Sequence, residues 1–170
     1  IGSTEYYVLI DASAFDDYSS NSYAGISSTT DLSFTTVNAV PTLSSSVPAD
    51  DATGIERDAN IVLNFSESVD VESGNVTIKK TSDNSIVETI DVTGSKVTGS
   101  GSAQITINPS SKFESETEYY VLIDATAFDD SDSGSYAGIS STTALSFTTE
   151  STASDPFEDK TVVALVEAQT

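Results

Sequence analysis

The sequence contains no cysteine and no histidine. Without cysteine there is neither a disulfide framework nor a thiolate metal site, so stability has to come from a packed core. Without histidine, Ser-His-Asp and Cys-His catalytic constellations and His-ligated zinc are excluded. Basic residues are scarce as well: 6 Lys and Arg stand against 27 Asp and Glu, a net charge of −21. Nucleic acid and anionic membranes both require a basic face, and no apolar run approaches the ~20 residues of a membrane-spanning helix. We therefore expect no nucleic-acid partner and no membrane insertion. The acidity suits solubility, a high-salt medium that screens self-repulsion, or divalent cations, and its plainest reading is a solvated surface. Hydrophobic residues make up only 37%, and Ser and Thr are abundant, a composition that fits short polar-flanked strands better than long helices.

What the chain does have is an internal repeat. Residues 4–36, TEYYVLIDASAFDDYSSNSYAGISSTTDLSFTT, return as residues 117–149, TEYYVLIDATAFDDSDSGSYAGISSTTALSFTT, at an offset of 113 residues. Over the aligned windows 1–36 and 114–149, 8 of 36 positions differ. Self-similarity at a fixed period is the signature of repeat architectures. It reads here as a window on a tandem array: residues 1–36 as the C-terminal two strands of one repeat, 37–149 as a complete repeat, and 150–170 as a linker and the start of a following segment.

The strand pattern supports this division. In the first segment, Glu5 to Asp11 is rich in aromatic and branched residues, and Leu32 to Thr36 alternates, with Leu32 and Phe34 on one side. Two strands alone are marginal in water, so this segment lacks most of its own domain. From Pro41 the expected strands are 41–47, Asn60–Phe65, Asn75–Lys80, Ile86–Val92, a short one at Lys96–Thr98, Ala103–Asn108, Thr117–Asp124, and a last one carrying Leu145 and Phe147. Residues 48–54 read as turn and loop, Ser66 to Gly74 as an acidic loop, and Ala125 to Asp130 as one helical turn burying Phe128. Seven to eight short strands with regular turn signals predict an all-β antiparallel sandwich. After Thr149, Asp155-Pro156-Phe157-Glu158 resembles a helix start with a capping acid, Pro at the first helical position and Glu at the third. Thr161 to Ala168 then continues it as a short helix, with a strand at Val162–Val166 as the other option.

The run from Pro41, PTLSSSVPADDATGI, with NIVLNFSESVD from Asn60, the YYVLIDATAFDD segment, YAGI and the closing LSFTT, resembles bacterial Ig-like domains. The resemblance is to the type found in S-layer proteins and large repetitive surface adhesins. It covers 37–149 in full and 1–36 as the end of an earlier copy. It implies an Ig-like sandwich in a tandem array, an extracellular or cell-surface setting, and neighbouring repeats of the same protein as the principal partners.

The loop after YYVLID gathers Asp124, Asp129, Asp130 and Asp132, with Ser131 and Ser133. Hard oxygens clustered so closely suit Ca²⁺, which takes six to eight of them, and these four aspartates are the candidate ligands. The loop departs from the EF-hand pattern, with its Gly one residue early and Ser141 where a Glu would close the site. The earlier copy keeps Asp11, Asp16 and Asp17 but has Ser19 in place of Asp132. Turn-forming aspartates are the alternative reading. In an Ig-like topology this loop and the Asp70/Glu72 loop face the preceding domain, whose equivalents of Asp50 and Asp51 would meet them across a bridging cation.

The adjacent pairs Tyr6-Tyr7 and Tyr119-Tyr120 point to opposite faces of a strand, so one of each is expected in the core and the other at the surface. Nothing singles out two carboxylates in a cleft, as glycoside hydrolysis would need, and no enzyme is expected. Three functions stay open. The first is a structural spacer of a long secreted or surface protein, with calcium as a stiffening ion. The second is a filament subunit whose copies complete one another by strand donation, with Val162–Val166 as donor. The third is a carbohydrate- or protein-binding accessory module.

Overall fold

A computed structural model describes residues 3–152, and the predicted helix or strand after Asp155 lies outside them. Twelve strands occur among the described residues, and no helix. In the first segment, β1 (Glu5–Tyr7) and β2 (Ser33–Thr35) form an antiparallel pair with Tyr6 opposite Phe34.

The second segment holds the other ten. They are β3 (Leu43–Val47), β4 (Ala52–Ile55), β5 (Ile61–Val71), β6 (Asn75–Lys80), β7 (Ile86–Asp91), β8 (Val97–Thr98), β9 (Ser102–Ile107), β10 (Glu118–Ile123), β11 (Phe128–Asp129) and β12 (Ser146–Thr149). One sheet runs β4-β12-β10-β6-β7. The other runs β11-β5-β9-β8, with β3 also on β5. Period-2 alternation sends Ile61, Leu63, Phe65 and Val69 of β5 inward, against Val76 and Ile78 of β6 and Tyr119, Val121 and Ile123 of β10. Each such side chain contributes about 1.5–3 kcal/mol when fully buried. Phe113, Tyr119 and Phe147 form an aromatic knot with ring centroids 4.8 to 5.8 Å apart. The Tyr119 phenol oxygen accepts the Glu114 N–H at 2.8 Å, which satisfies the one polar atom of that knot.

Three stretches differ from the sequence-based expectation. The acidic stretch Ser66–Val71 is not loop but the continuation of β5, with Val69 buried and a register shift between Asn64 and Val69. Alternation in fact runs through it, disguised by Glu67 at an inward phase. Ala125–Asp130 is not helical: a turn closed by Ala127 N–H to the Asp124 carbonyl leads into β11, which pairs with the extended end of β5. Phe128 is buried as expected, but on a strand. The end of the stretch 48–54, expected as turn and loop, instead belongs to β4 (Ala52–Ile55), which lies parallel to β12, the one parallel pairing among the described strands.

The tyrosine pair also differs. Tyr119 and Tyr120 are both buried. Tyr120 faces away from the core, and its hydroxyl donates to Asn84 Oδ1 at 2.9 Å in the turn between β6 and β7.

The outer edges of the two sheets, β7 and β8, are tied by a polar cluster. Glu88 of β7 pairs with Lys96, just before β8, and accepts the Ser110 N–H and Oγ–H at 2.8 and 2.9 Å. Burial pushes the Glu88 carboxyl upward, but the Lys96 and Ser110 hydrogen bonds prevail and hold it below its usual value. A depressed folded-state pKa means that the stabilisation is present above the unfolded value, near 4.5, and is lost as pH falls through the folded value. Glu88→Gln is therefore expected to cost about 1–2 kcal/mol at pH 7. In urea melts across a pH series, the gap between variant and parent should close below pH 4.5.

The repeat supplies a second test. Phe147 is 1% exposed and its counterpart Phe34 is 55% exposed. Phe147→Ala should destabilise by about 3–5 kcal/mol. Phe34→Ala should leave the same urea transition within about 0.5 kcal/mol of the parent.

Candidate functional site

The two copies of the loop after the YYVLID strand have the same backbone. Ile10 and Ile26 exchange N–H···O bonds at 3.0 and 2.8 Å, and Ile123 and Ile139 do so at 2.9 and 2.8 Å. Tyr23 N–H reaches the Phe15 carbonyl at 2.7 Å, as Tyr136 N–H reaches Phe128 at 2.9 Å. The glycine of YAGI is needed in both copies. Gly25 and Gly138 have φ of 77° and 74°, and a Cβ there would stand 2.5 and 2.4 Å from the Ile10 and Ile123 carbonyl oxygens.

The copies differ in what covers them. In the second, the Phe65 ring of β5 enters between Phe128 and Tyr136, with centroids 5.4 and 5.1 Å away. In the first, nothing among the described residues fills that slot. A cleft of about 580 Å³ remains, with Phe15 and Tyr23 in its lining. Tyr6 and Tyr7 are 44% and 54% exposed, where Tyr119 and Tyr120 are 1% and 2% exposed.

The four candidate calcium ligands lie on one loop but do not converge. Asp124 Oδ2 accepts the Asn75 N–H at 2.8 Å and the Asn75 amide at 3.3 Å, pinning the start of β6. Asp129 sits in β11 opposite Asp70 of β5, so two acids face each other across a strand pair, and Asp129 Oδ1 is buried without a hydrogen-bond partner. Asp130 is buried and folds back on its own loop: its Oδ1 accepts the Asp132 and Gly134 N–H groups at 2.8 and 2.7 Å. The Asp132 carbonyl receives the Asn38 side-chain amide at 3.4 Å. No three acidic side chains among the described residues come close enough to hold a metal ion between them.

Glu72 and Ser73 donate main-chain N–H bonds to Ala127 and Thr126 at 3.0 and 3.1 Å, so the end of β5 does lie beside this loop. Asp50 and Asp51 are engaged elsewhere, accepting the Ser146 N–H and Oγ–H at 2.9 and 3.0 Å. In the first copy, the Asn21 amide and main chain hold the Asp17 carboxyl below the usual range. Sequence reasoning passes over Asn38, because a lone Asn in a linker gives no pattern.

Two facing sheets, with a core between them and a chain that crosses repeatedly from one sheet to the other, define an immunoglobulin-like sandwich. The family pattern of the bacterial Ig-like domain matches residues 37–149, and the chain belongs to that family. Such domains commonly occur in extracellular or surface proteins. No curated protein matches the chain. Among solved structures, selenomethionine PcoC, a copper resistance protein from Escherichia coli, is similar at 24% identity, covering 64% of this chain and 99% of its own, with a TM-score of 0.37. That likeness is too loose to transfer any property. Among the described residues no helix is long and apolar enough to cross a membrane.

All seven tyrosines are described, and they divide by copy. Brief iodination followed by mass spectrometry should modify Tyr6, Tyr7, Tyr18 and Tyr23, which are exposed, and spare Tyr119, Tyr120 and Tyr136, which are buried. Equal labelling of Tyr6 and Tyr119 would contradict the assignment of cover.

Proposed function

We propose that this chain is a stretch of a tandem array of Ig-like repeats whose work is mechanical: to extend and space a long secreted or cell-surface protein of the adhesin or S-layer kind. It acts as a structural, non-catalytic module. The observation that carries this reading is the contrast between the copies. Residues 5–7 and 33–35 pair like the C-terminal strands of a sandwich, in the register of β10 with β12, yet present an uncovered apolar face. A face of this kind is what remains of a sandwich whose other strands lie upstream. Each repeat then touches mainly its neighbours, and the array behaves as a chain of semi-independent units. The acidic surface keeps such units soluble and apart.

The filament reading draws on the same face but takes the covering strands from another copy of the chain. The accessory-module reading has less behind it, since the exposed aromatics other than Tyr18 coincide with positions that the second copy buries in its core or in its sheet.

One experiment separates them. Residues 37–113 placed ahead of residue 1 should complete the first unit, because residue 1 aligns with 114. The extended chain should bury Tyr6, Tyr7 and Phe34, roughly double the calorimetric enthalpy in proportion to the ordered residues, and stay monomeric. An extended chain that leaves the first segment open would overturn the repeat reading. Concentration-dependent polymers of the original chain that vanish on extension would favour strand exchange between copies.

A further inference from the structure

Loops 17–21 and 130–134 match hydrogen bond for hydrogen bond, except at one position. Asp17 Oδ1 accepts the Ser19 and Asn21 N–H groups at 2.8 and 2.9 Å, as Asp130 Oδ1 accepts those of Asp132 and Gly134. Ser20 and Ser133 take the same left-handed turn, with φ of 63° and 66°. In the first loop the Asn21 side chain also donates to Asp17 Oδ2 at 2.8 Å, so both carboxylate oxygens are satisfied. In the second loop that residue is Gly134. Asp130 is only 8% exposed, and its Oδ2 is left buried with no hydrogen-bond partner. An unpartnered buried carboxylate oxygen is costly and calls for a donor or a cation.

With no side chain on Gly134, the Asp130 carboxylate and the Asn38 amide close in over it. A Cβ placed there would stand 2.5 Å from Asp130 Oδ2 and 2.9 Å from Asn38 Nδ2. Asn38 lies just ahead of β3, and its amide reaches the Asp132 carbonyl only through the long 3.4 Å contact. An amide offers oxygen or nitrogen after a half-turn of its terminal torsion. With its oxygen inward, Asn38 joins Asp130 Oδ2 and the Asp132 carbonyl in a set of hard oxygen ligands around the place that Asn21 fills in the first copy. Lys80, Lys96 and Lys112 are paired with Glu114, Glu88 and Asp58, away from this loop.

We propose that Asp130 Oδ2, the Asp132 carbonyl and the Asn38 amide oxygen form a site for a divalent cation of the calcium class, and that Asn21 closes the corresponding site in the first copy. The ion fastens the segment ahead of β3 to the loop and fixes how the chain enters the sandwich. With one carboxylate and water completing the shell, the affinity falls in the range of extracellular calcium modules, about 10⁻⁴–10⁻³ M. Asp124, held by Asn75, is not a ligand of this site.

The test uses the whole chain, melted in EDTA, CaCl₂ or MgCl₂ at matched ionic strength. Calcium at tenfold excess over its Kd should raise the midpoint by roughly 3–7 °C, and magnesium by less. Gly134→Asn, which introduces the self-capping residue of the first loop and whose Cβ displaces Asp130 Oδ2 and Asn38, should abolish the calcium shift. Asp130→Asn, which keeps an acceptor for the two loop N–H groups, should also abolish it, and Asp17→Asn should leave it intact. No calcium shift up to about 20-fold the upper end of that Kd range, an equal response to magnesium, or a shift that survives Gly134→Asn would each overturn the proposal.

Discussion

The structure depends on one requirement: the apolar face of the β10–β12 hairpin has to be covered. That face carries Tyr119, Val121 and Phe147, with Leu145 beside it, all of them buried. The cover is the second sheet, and above all β5, whose inward residues run from Ile61 to Val69. β5 pairs with β9 along one edge and with β3 and β11 along the other, so it organises that sheet as well as filling the core. Residues 5–7 and 33–35 show the same hairpin with its cover missing. The main chain keeps its hydrogen bonds while the side chains stand in solvent. Local pairing sets the hairpin's shape, and inter-sheet packing supplies most of its stability.

Much of this is legible in the sequence, because alternation is a direct report of which face is buried. The strands Asn75–Lys80, Ala103–Asn108 and Thr117–Asp124 each appear within a residue or two of their expected bounds. The failures share a physical cause. Glu67 and Asp70 look like loop residues, yet β5 carries them because its edge continues to find partners in β9 and β11. Phe128 reads as a core residue, but a lone apolar residue among aspartates cannot reveal whether it arrives by helix or strand. Gly54 hides β4, whose place is fixed by pairing with β12, far along the chain.

The loop chemistry is less legible. The sequence advertises four aspartates, and the structure assigns them different work. Asp124 pins β6, Asp129 faces Asp70, Asp130 closes its own turn, and the main chain of Asp132 meets Asn38. Charge density alone cannot separate these roles. The informative signal is the replacement of Asn21 by Gly134 between two otherwise matching loops, which changes whether a buried carboxylate oxygen has a donor.

The two copies share a hairpin and differ in cover, and hydrogen exchange in the intact chain tests this directly. Val8 N–H and Val121 N–H make equivalent bonds, to Leu32 and Leu145, both at 2.9 Å. Any difference in their protection therefore reports packing rather than bond geometry. Val121 should exchange only through global unfolding, and Val8 orders of magnitude faster, through local opening. Equal protection at the two sites would mean that the first hairpin is covered in solution, which contradicts the difference in cover on which the repeat reading rests.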